Sequence, residues 1–471
     1  MMRFFVLYLM FLTVFLTLAF LGRLSYEHGY IHPNLLFYAE KVLLAKYGEP
    51  PRLENIGFVY PPLAFLPFWV VPNYLLVSPL ASALVITAFL SFLLRICSSL
   101  VYLIVVYLML NPLVLFLGVF RFEVLSFYLL LSLSVAFFVL HMEKGYSIYL
   151  FLAGLLFGLC FFLDFRALFL IPFFTLAVFL STRERDIPYR LALLIVKLSP
   201  VVFFAFSWLY LNWIFTENPL NFIKSPYSFF RSEPLDTSLL ATKGSFLGAI
   251  KYTTLRLFEY LPLTLLYFLV LLNLRNYRIF YLAPVYLLYL SPVILVLFSV
   301  YFSAFFPAYY YSVLFLLFTL TFTAVLGMKC SKFCALLLPI SLASSWVLPI
   351  FSKENNERAF VRFLLTGKIS GNVEEYRHVA KALRDCRKVL MDDADGFPIV
   401  VFTGEPKKFY LPYMYEYYTV LSSPWQFVDC VVVNKKSATD SVSERFPFAK
   451  MGFLKGYSII YDGEKYNVFK R

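Results

Sequence analysis

Tyr26-Glu27-His28-Gly29-Tyr30-Ile31-His32-Pro33-Asn34 opens, and Gly57-Phe58-Val59-Tyr60-Pro61-Pro62-Leu63 closes, the polar segment that separates the first long apolar run of this chain from the next. Before it stands an apolar run at 3 to 22, and after it another at 76 to 96, each near the roughly 20 residues that cross a bilayer. The stretch holds Glu27, His28, His32, Glu40, Glu49 and Glu54 in a chain otherwise dominated by hydrocarbon. A polar island between two spans is a loop, and groups able to do chemistry are concentrated there.

Working outward, the chain has 471 residues, is 61% apolar and 15% charged, and has a mean hydropathy of +0.76. Ordinary soluble domains are about 45–50% apolar and 25% charged, so the expected fold is a polytopic α-helical membrane protein. The 56 Phe and 35 Tyr exceed the needs of interfacial belts, so many rings must face lipid or fill gaps between helices. A net charge of +13 would suggest a nucleic-acid partner in a soluble protein; here the charge divides by membrane side, and no nucleic acid is implied. Six scattered cysteines make neither a disulfide scaffold nor a zinc site, and Cys330 and Cys334 lack a companion His or second pair. The run Phe4 to Leu21 is as long as a span and lacks a small-residue cleavage site, so it reads as a retained helix.

Further apolar runs fall at 98 to 117, 122 to 141, 147 to 163, 166 to 182, 189 to 214, 260 to 275, 278 to 302, 309 to 328 and 333 to 351, which gives about eleven spans. Arg95, Lys144, Arg183, Arg185, Arg190, Arg275, Arg278, Lys329 and Lys332 all fall in alternate short turns, as the positive-inside rule requires of cytoplasmic connections. The N-terminus is then cytoplasmic. Outer loops 23–75 and 215–259 and everything after 352 are extracytoplasmic, in a multi-pass protein of the cell membrane.

The chain divides into a transmembrane domain, 1–351, and a small extracytoplasmic α/β domain, 352–471, with Asn355 to Val373 as linker. Glu374 to Cys386 has helical spacing, with Val379 and Leu383 on one face. Lys388 to Met391, Phe397 to Phe402 and Phe427 to Val433 read as short buried strands, and Tyr457 to Phe469 as a hairpin turning at Asp462-Gly463. Cys386 and Cys430, on the oxidising side, could pair. No repeat or low-complexity tract is visible.

Glu123, Asp164, Arg166, the first outer loop, and Lys224, Arg231, Lys243, Lys251, Arg256 and Glu259 of the second all face the outer side. Membrane-edge ionisable groups are expensive enough to be functional candidates, although charges at span ends also simply mark the headgroup layer. Lys197 lies near a cytoplasmic span end, where its stem can snorkel, and carries no expected function. Asp392-Asp393-Ala394-Asp395-Gly396 is faintly like a calcium loop, but the twelfth position from Asp393 is Gly404, with Glu405 one residue out of register, so a strand-end turn is expected.

Tyr60-Pro61-Pro62-Leu63 before the second span, Arg121-Phe122-Glu123 at a later outer turn, and Gly154-Leu155-Leu156-Phe157-Gly158-Leu159-Cys160 leading into Asp164-Phe165-Arg166 together resemble the GT-C glycosyltransferases over roughly residues 1 to 350. That superfamily includes the protein O-mannosyltransferase and aminoarabinose transferase families. The resemblance implies transfer, with inversion, of a sugar such as mannose from a polyprenyl- or dolichyl-phosphate donor to an acceptor lipid, glycan or protein outside the cytoplasm. It implies a first-loop carboxylate at the position of Asn34, so that role passes to Glu27, with Glu54 or Glu40 behind it, and a second acid at Glu123. It also implies cations for the lipid phosphate at Arg166, Lys224, Arg231 and Arg256, with His28 and Tyr60 beside the donor. No metal ligand set is indicated. Two other readings compete: a transporter or flippase of lipid-linked sugars, which needs polar groups at the bilayer midplane, and an inactive relative acting as a binding module.

Overall fold

A computed structural model of the chain describes residues 2–71, 73–96, 98–182, 185–225, 228, 242–274, 282–303, 308–326, 332–351, 355–369, 371–437 and 439–471. These residues form two compact units. One comprises Met1–Leu21, Phe58–Pro67 and Ser78–Lys368; the other comprises Gly22–Gly57, Phe68–Val77 and Ile369–Arg471.

The first unit is helical. Among the described residues, four helices are long and apolar enough to cross a membrane: Phe4–Glu27, Tyr74–Ile96, Phe122–Lys144 and Ile187–Thr216. A fifth arises if Ala283–Tyr289 and Ser291–Phe302, bent by 51°, count as one span. Among the described residues the other apolar helices are shorter or broken, and proline explains two of the breaks because it lacks the N–H that continues a helix. Pro112 divides the run at 98 to 117; the Asn111 side chain there accepts from Leu113 N at 3.0 Å and starts a new helix, Pro112–Phe120. Pro292 stands at the bend after Tyr289.

Phe122–Lys144 is the centre of this unit, buried over nearly its whole length, as a helix apolar on all sides should be. It ends at Gly145, whose φ of 75° is the left-handed conformation that releases its N–H to the His141 carbonyl at 2.7 Å. Ser147–Leu163 returns antiparallel beside it, with Ser134 Oγ donating to Ala153 O at 2.7 Å. On its other side it meets Ile187–Thr216 through Gly154 and Gly158. A Cβ on Gly154 would strike the Lys197 carbonyl, and one on Gly158 the Phe204 ring. Small residues four apart let two helix backbones approach closely.

The second unit carries a five-stranded sheet of order β2-β1-β3-β5-β4: β1 Val389–Leu390, β2 Phe409–Tyr410, β3 Cys430–Asn434, β4 Ser458–Asp462 and β5 Tyr466–Lys470. β1 runs parallel to β2 and β3, and β5 antiparallel to β3 and β4. Alternation divides its side chains into two buried clusters. Val389, Cys430, Val432, Tyr466 and Val468 join Val379 and Leu383, while Leu390, Val431, Val433 and Phe469 face the other way. The helix over Glu374–Ala382 and the β4–β5 hairpin agree with the sequence expectation, although Asp462 ends β4 and the loop is Gly463 to Lys465. Cys386 and Cys430 are disulfide-bonded, with Cα atoms 5.9 Å apart.

Four expectations are corrected. Phe397 to Phe402 lies inside the helix Asp393–Thr403, because Asp392 caps it by accepting from Ala394 N at 3.0 Å. Asp392 to Gly396 is therefore a helix start, neither a calcium loop nor a simple strand-end turn. Residues 355–366 of the expected linker form a helix, whose buried Phe360, Val361 and Phe363 give it an apolar face. Phe427 ends a short turn, Pro424–Phe427, and β3 starts only at Cys430.

Candidate functional site

In the helical unit, the antiparallel pairing of Phe122–Lys144 with Ser147–Leu163 puts the start of one helix beside the end of the other. Each junction carries an acid and an arginine two residues apart. Arg121 Nε donates to Glu123 Oε1 at 2.5 Å, and Arg166 Nε donates to both oxygens of Asp164 at 2.8 Å. Asp164 also accepts from Arg166 N at 2.9 Å, so the turn Phe165–Leu170 is capped and its arginine aimed by one side chain. Arg166 Nη1 reaches Tyr311 Oη at 3.0 Å. Glu123 is 4% exposed, and its second oxygen, Oε2, is buried with no hydrogen-bond partner among the described residues. An unpaired carboxylate oxygen in such a place is costly, and it leaves an acceptor for an incoming hydroxyl. The turn Pro62–Ala64, just after Tyr60-Pro61, packs against both helices.

A further acid at this end gave no signal in the sequence. Glu357 is 3% exposed in the helix Asn355–Thr366, whose Phe360 ring lies 5.5 Å from those of Phe116 and Phe120. Burial pushes its carboxyl up to about 8, against a smaller downward pull from Arg121. A buried acid that holds its proton at neutral pH is a candidate proton donor. Its polar neighbours Asn355, Asn356 and Arg358 made the segment resemble a linker.

The remaining candidates are dispersed. Glu27, His28 and Glu54 belong to the sheet-bearing unit and are exposed. Glu27 is paired with Arg23 at 2.8 Å, and His28 Nδ1 lies 2.8 Å from Leu24 O. Lys224 is exposed, and Arg256 Nε donates to Tyr252 Oη at 3.2 Å. Tyr60 is half-buried, and Arg231 lies outside the described residues. The loop helix Pro33–Tyr47 starts at His32, whose Nδ1 accepts from Asn34 N at 3.2 Å. Glu40, the first-loop acid ranked behind Glu27, is wholly buried. Lys41 Nζ stands 3.2 Å from its Oε2 and 2.8 Å from Asp393 Oδ2. This triad lies inside the sheet-bearing unit, where it ties the loop helix to Asp393–Thr403.

Lys197 departs from its expected role. It is 1% exposed, and its Nζ has no hydrogen-bond partner among the described residues. The Phe138 and Phe174 ring centroids lie 4.0 and 4.3 Å away. It does not snorkel, because Gly154 draws its backbone into a helix contact and two aromatic faces receive the head group. Among the described residues no group of three or more His, Cys, Asp or Glu is arranged to hold a metal. No known family, characterised protein or solved structure matches the chain.

Proposed function

We propose that this chain is an integral-membrane glycosyltransferase that moves a sugar, such as a hexose, from a polyprenyl-phosphate donor to an acceptor outside the cytoplasm. In this reading the chain crosses the membrane about eleven times, with a cytoplasmic N-terminus and both large loops outside. The observation that carries it is the paired Arg121–Glu123 and Asp164–Arg166 junctions at one end of the helical unit. Glycosyl transfer makes a bond from the acceptor oxygen to the anomeric carbon and breaks the bond from that carbon to the phosphate. The acceptor hydroxyl must lose its proton to a carboxylate within reach, the role assigned to Glu123; Glu27 and Glu54 are the first-loop acids that the sequence resemblance implies as alternatives. The departing phosphate must meet fixed cations, a role for Arg166 with Lys224, Arg231 and Arg256.

The test is transfer from a polyprenyl-phosphate sugar in proteoliposomes by Glu123→Gln, Glu27→Gln and Glu54→Gln. Loss of a general base typically costs about 10²–10⁴-fold in rate, and at least Glu123→Gln should show it. If none of the three loses transfer while the lipid-linked sugar still crosses the bilayer, the transferase reading fails. Lys197 favours a second reading, transport of that lipid, since an unpaired buried cation within a long apolar helix is where a transporter would bind its substrate. Lys197→Met would then abolish crossing and leave any transfer intact.

A further inference from the structure

The sheet-bearing unit contains a cleft of about 500 Å³ unrelated to the residues assigned above. Arg377, Lys381, Arg384 and Lys408 line it, against the single carboxylate of Glu405. Glu405 is spent on Lys408 at 2.9 Å, and Lys408 also donates to Arg384 O at 3.1 Å. The side chains of Lys381 and Arg384 have no partner among the described residues. Arg377 Nη2 donates to Tyr26 O at 3.1 Å, while its Nε is buried with no acceptor among the described residues. Tyr26 and Phe402, whose ring centroids lie 4.1 and 5.8 Å from its guanidinium carbon, hold that head group in place.

Three cations with open donors around one cavity present more positive charge than a lone carboxylate would neutralise, and Arg offers a planar fork suited to phosphate oxygens. Cations near helix C-termini are ordinary, and that accounts for Lys408, whose head group is already engaged; it does not account for the empty Arg377 Nε. Tyr26 follows the apolar run Phe4 to Leu21 closely in sequence and belongs to the same unit as the cleft. We propose that this cleft binds a phosphate ester group, taken either from a lipid headgroup or from a soluble sugar phosphate. The site is independent of the transferase reading.

The experiment uses the full chain in phosphatidylcholine nanodiscs, with glucose 6-phosphate as the soluble probe and phosphatidylglycerol as the lipid probe. Calorimetry reads the first, and retained lipid in native mass spectrometry reads the second. Lys381→Glu with Arg384→Glu alters exposed side chains, so melting should not shift while affinity for the bound probe falls about tenfold or more, as expected when two charge-assisted contacts are lost. Arg377→Lys keeps the charge but loses the fork and should weaken binding by less. A loss confined to glucose 6-phosphate identifies a soluble ligand, and one confined to phosphatidylglycerol a headgroup; both support the site. Wild type binding neither probe, or the double variant binding both as well as wild type, overturns it.

Discussion

In the helical unit, Arg121 meets Glu123 and Arg166 meets Asp164 two positions along the chain, whereas in the sheet-bearing unit Lys41 meets Asp393 across 352 positions. All are shielded ion pairs, yet they do different work. A pair formed within one turn closes no loop, so it adds little to the fold and mainly sets where a charged group points. A pair that joins distant segments must form with the unit and fails with it. Buried charge close in sequence is therefore the better guide to a site, and buried charge far apart in sequence the better guide to architecture.

The sharpest way to break this contrast is Lys41→Met. It strands the buried Asp393 carboxylate beside Glu40, and removing one partner of a buried pair costs about 3–5 kcal/mol. The denaturation midpoint of the sheet-bearing unit in the full chain should fall accordingly, and Lys41→Met with Asp393→Asn should recover much of the loss. If Lys41→Met instead melts like wild type, the triad does not hold the loop helix. Next in size, Cys386→Ser removes a crosslink spanning 44 residues, worth about 2–4 kcal/mol, which thermal melting with and without reductant will read.

The third prediction concerns pH. Burial raises the Glu40 carboxyl from 4.5 to about 8, with Lys41 pulling it down and Asp393 pushing it further up. Between those values the folded chain keeps a proton that the unfolded chain has lost. Stability of this unit should thus fall as pH rises from about 4.5 towards 8 and then level. Asp393, held below its usual range chiefly by Lys41 despite its burial, acts in the opposite sense only in the acid region below 3.8. Glu40→Gln should flatten the slope in urea titrations at pH 5, 6.5 and 8; an unchanged slope would assign it to another group. Smallest is Glu27→Gln: its pair with Arg23 is largely exposed, so stability should change by less than about 0.5 kcal/mol even if transfer is lost.

Much of the fold could be read from the chain because apolar length and alternation are local properties. The runs at 122 to 141 and 189 to 214, the Glu374–Ala382 helix and the terminal hairpin belong to that class. Phe397 to Phe402 did not, since six apolar residues suit a buried strand and a buried helix equally, and only the Asp392 cap decides. Of the candidate site, the acid–arginine pairs at Glu123 and Arg166 could be seen in the sequence because their partners stand only two residues apart. Glu357 was hidden because a polar segment shows amphipathic burial only when a partner surface exists. Lys197 was misread because distance from a span end says nothing of two phenylalanines waiting on other helices.

The Cys386–Cys430 crosslink also makes the chain its own compartment marker. Such a bond is made and kept only where the surroundings oxidise thiols, so its presence in protein taken from cells records the redox compartment in which the sheet-bearing unit matured. Cys160, a buried free thiol in the helical unit, supplies the internal reference. Counting alkylated cysteines in denatured protein, before and after reduction, would then report that compartment without an attached tag.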